Sequence, residues 1–406
     1  MRQTLLTALL GISLFISCTD GEPASPDCGL SINQIDSIFQ HAVQQSMLLA
    51  QELQDQPDRF PKTLDEEGNL VTSDIHWWCC GFFPGTLWML SEQQPDNLQL
   101  RELAKEFTQR VEPVKDEKGS HDIGFMLQCS YGQAFRITSD STYLSVLRNG
   151  AKNLAGRFMP KAGVIKSWDW PKQWQNAVII DNMMNLELLE FVGHLDNDSL
   201  LLQVADSHAQ QTQKNHYRPD YSCYHVVDYD AQTGEVLHRQ TAQGYADESA
   251  WARGQAWGLY GYTMMFRETG NSLYLQQAQQ IAKYLIHRTN WPDDLIPYWD
   301  FDCPEIPDTQ RDASAAAIMA SALLELYMLD TQSQDRQEWL QFAAHQLQSL
   351  SSSDYLASLG SHHGFILMHS TGHRPNGTEV DVPLSYADYY YVEALTRLKK
   401  IQSMEK

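Results

Sequence analysis

The sequence predicts an all-α fold, an (α/α)6 barrel of six helical hairpins, and three observations carry that reading. Apolar residues recur at helical spacing through most of the chain. Short polar turns interrupt this pattern at intervals of roughly 55 to 75 residues. Each turn follows a more apolar helix and precedes a more amphipathic one. A repeat of that kind fits two nested layers, inner helices against an axis and outer helices against solvent. Left open, the repeat makes a solenoid; closed on itself, it makes the barrel, and closure is the expectation.

In chain order the candidate helices cover 31–54, 80–93, 97–112, 122–138, 141–157, 180–193, 197–214, 249–269, 272–289, 312–329, 334–351 and 382–401. Thr138 to Ser141, His194 to Asp198, Glu268 to Asn271 and Asp330 to Ser333 are the polar turns between paired helices. Tyr143 to Arg157 and Leu273 to Arg288 show the amphipathic second members. The stretch Gly244 to Gly261 differs from all of these. Ala250, Ala252, Gly254, Ala256 and Gly258 let another backbone or a ligand come close, at about 1 kcal/mol of helix propensity per glycine. Arg253 stands there between Trp251 and Trp257, which fits either an anion site or a packed core helix with one snorkelling arginine. The longer irregular segments 55–79, 113–121, 158–179, 215–248, 290–311 and 352–381 hold most polar candidates, as loops gathered at one end of a scaffold do. Residues 223–240 alternate about a turn at Gln232 to Gly234 and read as a β-hairpin placed to lie over a barrel mouth.

Composition narrows the partners. With 406 residues, 43% of them hydrophobic, the chain can bury a large core. Its formal charge of −22 and its lack of a Lys/Arg cluster argue against nucleic acid. Eleven tryptophans and eighteen tyrosines offer flat apolar faces with a polar edge, which suit sugar rings. Arg2, the apolar run Leu5 to Ile16 and the small residues after it read as an export signal, too short to span a membrane as a helix. Cys18 closes that run as in a bacterial lipobox, so residues 1–18 are read as signal, 19–30 as a polar linker and 31–406 as one barrel domain. Periplasmic or outer-membrane placement follows, with a lipid on Cys18 as the expected membrane contact. The other cysteines, Cys28, Cys79, Cys80, Cys129, Cys223 and Cys303, are scattered, and none sits in a cluster at metal-ligand spacing. No metal and no cofactor are expected.

Two carboxylates stand out. Asp122, in Ser120 to Phe125, opens a helix and reads either as its cap or, given the neighbouring His121, as a reactive group. Asp181 follows Val178, Ile179 and Ile180 and precedes Met183 and Met184, so it is expected to be buried and to hold its proton unless partnered. A carboxyl protonated at neutral pH is a general acid; the alternative is again an N-cap. His225, Gln243, Trp78 and Trp168 are further candidates whose weight lies in their combination.

Taken together, Trp78 to Gly85, His121 to Met126, Gly163 to Asp169, Ile180 to Asn185, His225 to Tyr229, Gly244 to Tyr260, Pro297 to Asp302, Arg311 to Ala316 and Tyr386 to Tyr390 resemble the unsaturated glucuronyl hydrolases, glycoside hydrolase family 88, in the same order. The resemblance implies the (α/α)6 barrel and an enzyme acting on oligosaccharides left by polysaccharide lyases. Their non-reducing end is a 4,5-unsaturated uronic acid, and the vinyl ether is hydrated rather than displaced by the usual pair of carboxylates. By block, Asp181 is the implied acid and base and Asp122 the second essential carboxylate. His121, His225, Gln243, Trp251 and Arg253 match substrate-binding positions, with Arg253 expected to neutralise the uronate, while Trp78 and Trp168 stack on sugar faces. Cys79 and Cys80 depart from the small hydroxyl-type pair expected after the tryptophan. His369 to Pro375 lies where members of the family differ; His373 and Arg374 could hold a sulfate, although a solvated loop is the plainer expectation. Rival readings are the related activity on unsaturated galacturonyl-rhamnose from pectin and a non-catalytic glycan-binding lipoprotein, which has no use for a protonated Asp181.

Overall fold

The computed structural model describes residues 29–169 and 173–404, and the predicted signal with Cys18 lies outside them. The helices are α1 (Ile32–Glu52), α2 (Phe82–Gln93), α3 (Leu98–Arg110), α4 (Ile123–Leu127), α5 (Gln133–Thr138), α6 (Leu144–Ala155), α7 (Asn182–Asp196), α8 (Ser199–His216), α9 (Ala252–Thr269), α10 (Ser272–Ile286), α11 (Ala313–Leu329), α12 (Arg336–Leu350) and α13 (Ser385–Met404). One π-helical turn, Gln128–Gly132, joins α4 to α5, so the two act as one bulged helix.

The inner ring is α2, α4 with α5, α7, α9, α11 and α13, each packed on the next, and α13 returns to α2 to close it. Inner helices α2, α7, α9 and α11 are buried on nearly every face, as their apolar and small-residue content requires. The outer helices α3, α6, α8, α10 and α12 each follow their inner partner and bury one stripe. The sixth outer helix is α1, packed on α2 and α13. Five pairs are therefore consecutive hairpins, and the sixth is made by the two ends of the chain. Lys399 Nζ lies 2.7 Å from Asp36, and Gln402 Nε2 donates to the Leu30 carbonyl at 2.6 Å.

The polar turns of the sequence are helix C-caps. Ser139, Asn197 and Gly270 end α5, α7 and α9 in the left-handed region, at φ of 57°, 54° and 66°. The outer helices α8 and α10 start on real side-chain caps, Asp198 accepting from the Leu200 and Leu201 amides and Asn271 from the Leu273 amide.

Small antiparallel sheets decorate the ring: β1 (Phe60–Leu64) with β2 (Leu70–Ser73), β3 (Phe158–Met159) with β4 (Val164–Ile165), β5 (Ala177–Ile179) with β6 (Val226–Tyr229) and β7 (Val236–Gln240), and β8 (Ser370–His373) with β9 (Thr378–Val382). The β6–β7 pair is the expected hairpin. Segments 55–79, 158–179 and 352–381 are more ordered than expected, because each contains strands. The stretch His369 to Pro375 is not a solvated loop: Ser370 and Thr371 are buried in β8, and the Thr371 and Gly372 carbonyls are bound by Arg253. Cys79, Cys80, Cys129, Cys223 and Cys303 are buried free thiols. No helix among the described residues is long and apolar enough to cross a membrane.

Candidate active site

The first turns of the inner helices gather at one end of the ring, and the candidate residues sit on them or on the strands and loops beside them. Trp78, just before α2, packs its ring 4.7 Å from Tyr386 at the start of α13 and 5.4 Å from Phe125 in α4. Phe125 in turn lies 5.1 Å from Trp257 in α9. On the other side His225 lies 4.4 Å from Trp251 and 6.5 Å from Trp168, and Trp168 lies 5.7 Å from Trp174. The Arg253 guanidinium closes the circle, 4.6 Å from the Trp251 ring and 5.3 Å from that of Tyr386. Five of the candidates named from the sequence, Trp78, Trp168, His225, Trp251 and Arg253, therefore belong to one connected set.

Both carboxylates occupy N-cap positions, and neither side chain caps. The contrast with Asp312 is informative: at the start of α11 it accepts from the Ser314 and Ala315 amides, as a capping aspartate does. Asp122 instead receives the Ser120 hydroxyl at 2.8 Å and lies 3.2 Å from His121 Nε2. Asp181 is buried, with its Oδ2 3.6 Å from His225 Nε2 and otherwise without a hydrogen-bond partner. Burial pushes its carboxyl up to about 7; Arg253 opposes that rise and the nearby Asp122 adds to it. Asp388 is also pushed to about 7 by burial, but its two oxygens accept from the Ile366 and Leu367 amides, so it is tied into the fold. The Trp257 indole nitrogen acts on Asp181 without completing a regular hydrogen bond.

The sheets fix these groups. Ile179 pairs with Val226, and the Ile180 amide donates to the His225 carbonyl at 3.0 Å, which sets Asp181 and His225 beside each other. The amides of Ala242 and Gln243 donate to His225 Nδ1 at 3.1 and 3.2 Å. That leaves the ring proton on Nε2, facing Asp181. Burial first, and then Arg253, holds His225 well below its ordinary pKa, so it is a neutral donor. His121 is likewise neutral, lowered chiefly by burial. Ser167 links the two acid-bearing segments, accepting the His121 amide on its carbonyl and the Ile179 amide on its hydroxyl.

Arg253 differs from expectation. Nη1 donates to Asp312 Oδ2 at 3.2 Å and to the Thr371 carbonyl at 2.5 Å; Nη2 donates to Gln243 Oε1 at 2.7 Å and to the Gly372 carbonyl at 2.6 Å. Its fork is occupied by protein acceptors, and only Nε, buried, lacks a partner. It supplies charge and holds Gln243 and β8 in place rather than offering a free bidentate grip. Cys79 and Cys80 are buried packing residues, Cys80 Sγ lying 3.6 Å from the Ile75 carbonyl.

Sequence reasoning left Trp174, Tyr386, Ser167 and Asp312 off the list and noted Trp257 only as a neighbour of Arg253. Tyr386, Asp312 and Ser167 did lie in blocks already singled out; nothing in the sequence pointed to Trp174. The gathered helix N-termini each carry about half a positive charge, which with Arg253 offsets the overall −22 where an anion would bind. Among the described residues no group of three His, Cys, Asp or Glu is placed to hold a metal.

No protein-family model matches the chain. It is 43% identical over 326 residues to the unsaturated glucuronyl hydrolase of Formosa agariphila, covering 80% of each chain. To the unsaturated glucuronyl hydrolase of Bacillus sp. strain GL1 it is 33% identical over 371 residues, 89% of this chain and 97% of that one. Its fold superposes on the crystal structure of an unsaturated glucuronyl hydrolase specific for heparin with a TM-score of 0.88 at 45% identity, over 92% and 99% of the two chains.

Proposed function

Because the chain belongs to the unsaturated glucuronyl hydrolases, we propose that it removes the 4,5-unsaturated uronic acid from the non-reducing end of lyase-generated, glycosaminoglycan-type oligosaccharides, with Asp181 as acid and base. It is a hydrolase, and membership in this family sets aside the pectin-directed and non-catalytic readings. Asp181 protonates C4 of the vinyl ether; the cation that forms is stabilised at C5 by the ring oxygen. Water then adds at C5 and gives its proton to the Asp181 carboxylate, which restores the acid. The resulting hemiketal opens, and the bond to the leaving sugar breaks.

The observation that carries this reading is Asp181 itself: buried, with Oδ2 open toward a neutral His225 and its carboxyl protonated near neutral pH. Asp122 is the second carboxylate, anchored by Ser120 and set against His121. Trp78 and Trp168 offer sugar-facing rings, Trp251 backs His225 and Arg253, and Gln243, with its oxygen turned to Arg253, keeps its amide N–H groups as donors. Arg253 and the helix N-termini favour the uronate carboxylate through charge. The test is direct: the conjugated C4=C5 bond absorbs in the ultraviolet and is lost on hydration. Unsaturated heparin, chondroitin and hyaluronan disaccharides should lose that absorbance with the wild type and keep it with Asp181→Asn; turnover by the variant at the wild-type rate would refute the assignment.

The segment from Met1 to Cys18 supports export with a lipid on Cys18. An intact mass showing Cys18 unmodified in the mature chain would refute that part.

A further inference from the structure

The rim beside Trp78 carries a group of residues that the mechanism above does not use. Trp77 is 40% exposed, and Lys62 Nζ stands 4.1 Å from its ring centroid. Lys62 is the bulged residue of β1, whose pairing with β2 skips from Pro61 to Thr63. A bulge re-aims the side chain it releases. The same ammonium lies 3.2 Å from Glu379 Oε1 in β9. Glu379 holds a left-handed φ of 55°, and its side chain lies over Gly372, whose carbonyl receives Arg253 Nη2. The group therefore spans from the Trp77–Trp78 turn to the strand pair that Arg253 anchors.

Each part has a feature that packing alone leaves unused. An indole ring standing in solvent offers a flat face of the kind sugar rings cover. The Lys62–Glu379 pair is partly exposed, 21% and 15% at the side chains, and such pairs are weakly bound. An ammonium has three donors, and one carboxylate does not use them all. Resting on the hydrolase reading, we propose that Trp77 and Lys62 form the subsite for the sugar on the leaving side of the scissile bond. Trp77 lies against that sugar, and Lys62 takes an acidic substituent on it, a sulfate or a carboxylate. Glu379 holds the ammonium in place when the substituent is absent.

The test compares unsaturated disaccharides that differ by a single sulfate on the leaving sugar, with kcat and KM measured separately. Lys62→Met should lower the ratio of kcat/KM for sulfated over unsulfated substrate about five- to tenfold, with the loss in KM. Lys62→Arg should restore most of the ratio, and Trp77→Leu should raise KM for both substrates. A purely structural role would lower both substrates together, so an unchanged ratio in Lys62→Met overturns the proposal. If the wild type turns over neither disaccharide, the hydrolase reading fails on its own account. Calorimetric titration of the same two disaccharides into wild type and Lys62→Met then decides the subsite: a loss of affinity confined to the sulfated one supports it, and equal affinities refute it.

Discussion

Replacing Asp181 with asparagine should abolish turnover and, above neutral pH, make the protein more stable. The folded carboxyl holds its proton to about 7, whereas an unfolded aspartate releases it near pH 3.9. Below about pH 4 both states are protonated and nothing is lost. As pH rises from about 4 to about 7, the folded state binds a proton that the unfolded state has given up, and stability falls. Above that window the full penalty stands, roughly 4 kcal/mol at about 1.4 kcal/mol per pH unit. Roughly 1 to 2 kcal/mol of it is already present at pH 5, so roughly 2 to 3 kcal/mol accrues between pH 5 and pH 8. Asparagine keeps the shape of the protonated acid and never ionises. Other raised groups, Asp388 and Glu190 among them, titrate alike in both proteins and cancel in the comparison. A domain of this length unfolds with an entropy of about 0.8 kcal/mol per kelvin, so the melting advantage of the variant should grow by about 3 to 4 °C between pH 5 and pH 8. Scanning calorimetry of both proteins at the two pH values reads it, and the absorbance assay should show a rate loss of about 10² to 10⁴. A melting difference that stays constant or shrinks toward pH 8 would refute the picture of Asp181 as a proton-holding acid.

Further outcomes follow from the same geometry. The pH profile of kcat/KM should fall on the alkaline side with an apparent pKa of about 7, because Asp181 must begin each turnover protonated; a profile flat to pH 9 would contradict that. Asp312→Asn leaves the buried Arg253 without its carboxylate and should destabilise the chain by about 3 kcal/mol, as measured by urea unfolding. Gly124→Ala drives a methyl group into the Asn185 backbone, where α4 crosses α7, and should lower stability by about 1 to 3 kcal/mol, visible as a reduced Tm.

The ring of helices was legible because each element carried its own signal. The polar turns Thr138 to Ser141 and Glu268 to Asn271 became left-handed caps followed by side-chain N-caps, all of it local chemistry. Asp181 was legible as a buried acid because Val178 to Ile180 and Met183, themselves buried, carry it into the interior. What escaped was non-local. The strands β3, β4 and β5 span two or three residues, too few for alternation to register. Arg253 read as a free cation because three of its four acceptors, at Asp312, Thr371 and Gly372, lie 59, 118 and 119 residues away. Ser167 looks like any loop serine until the His121 and Ile179 amides are seen to meet on it.

The sixth helix pair sets an order in time. While the chain is being made, α1 is the first helix out; α2 can cover part of its apolar stripe, but the rest waits for α13, which comes last. The same late helix brings Tyr386 to the Trp78 ring, so the aromatic wall of the candidate site and the closure of the ring are completed by one docking event. A chain stopped before residue 385 would have both carboxylates and no closed barrel to hold them. Joining the two ends and opening the chain at the Gly270–Asn271 turn would turn that late pair into an ordinary hairpin, and such a permuted chain should reach the same fold with its last step moved elsewhere.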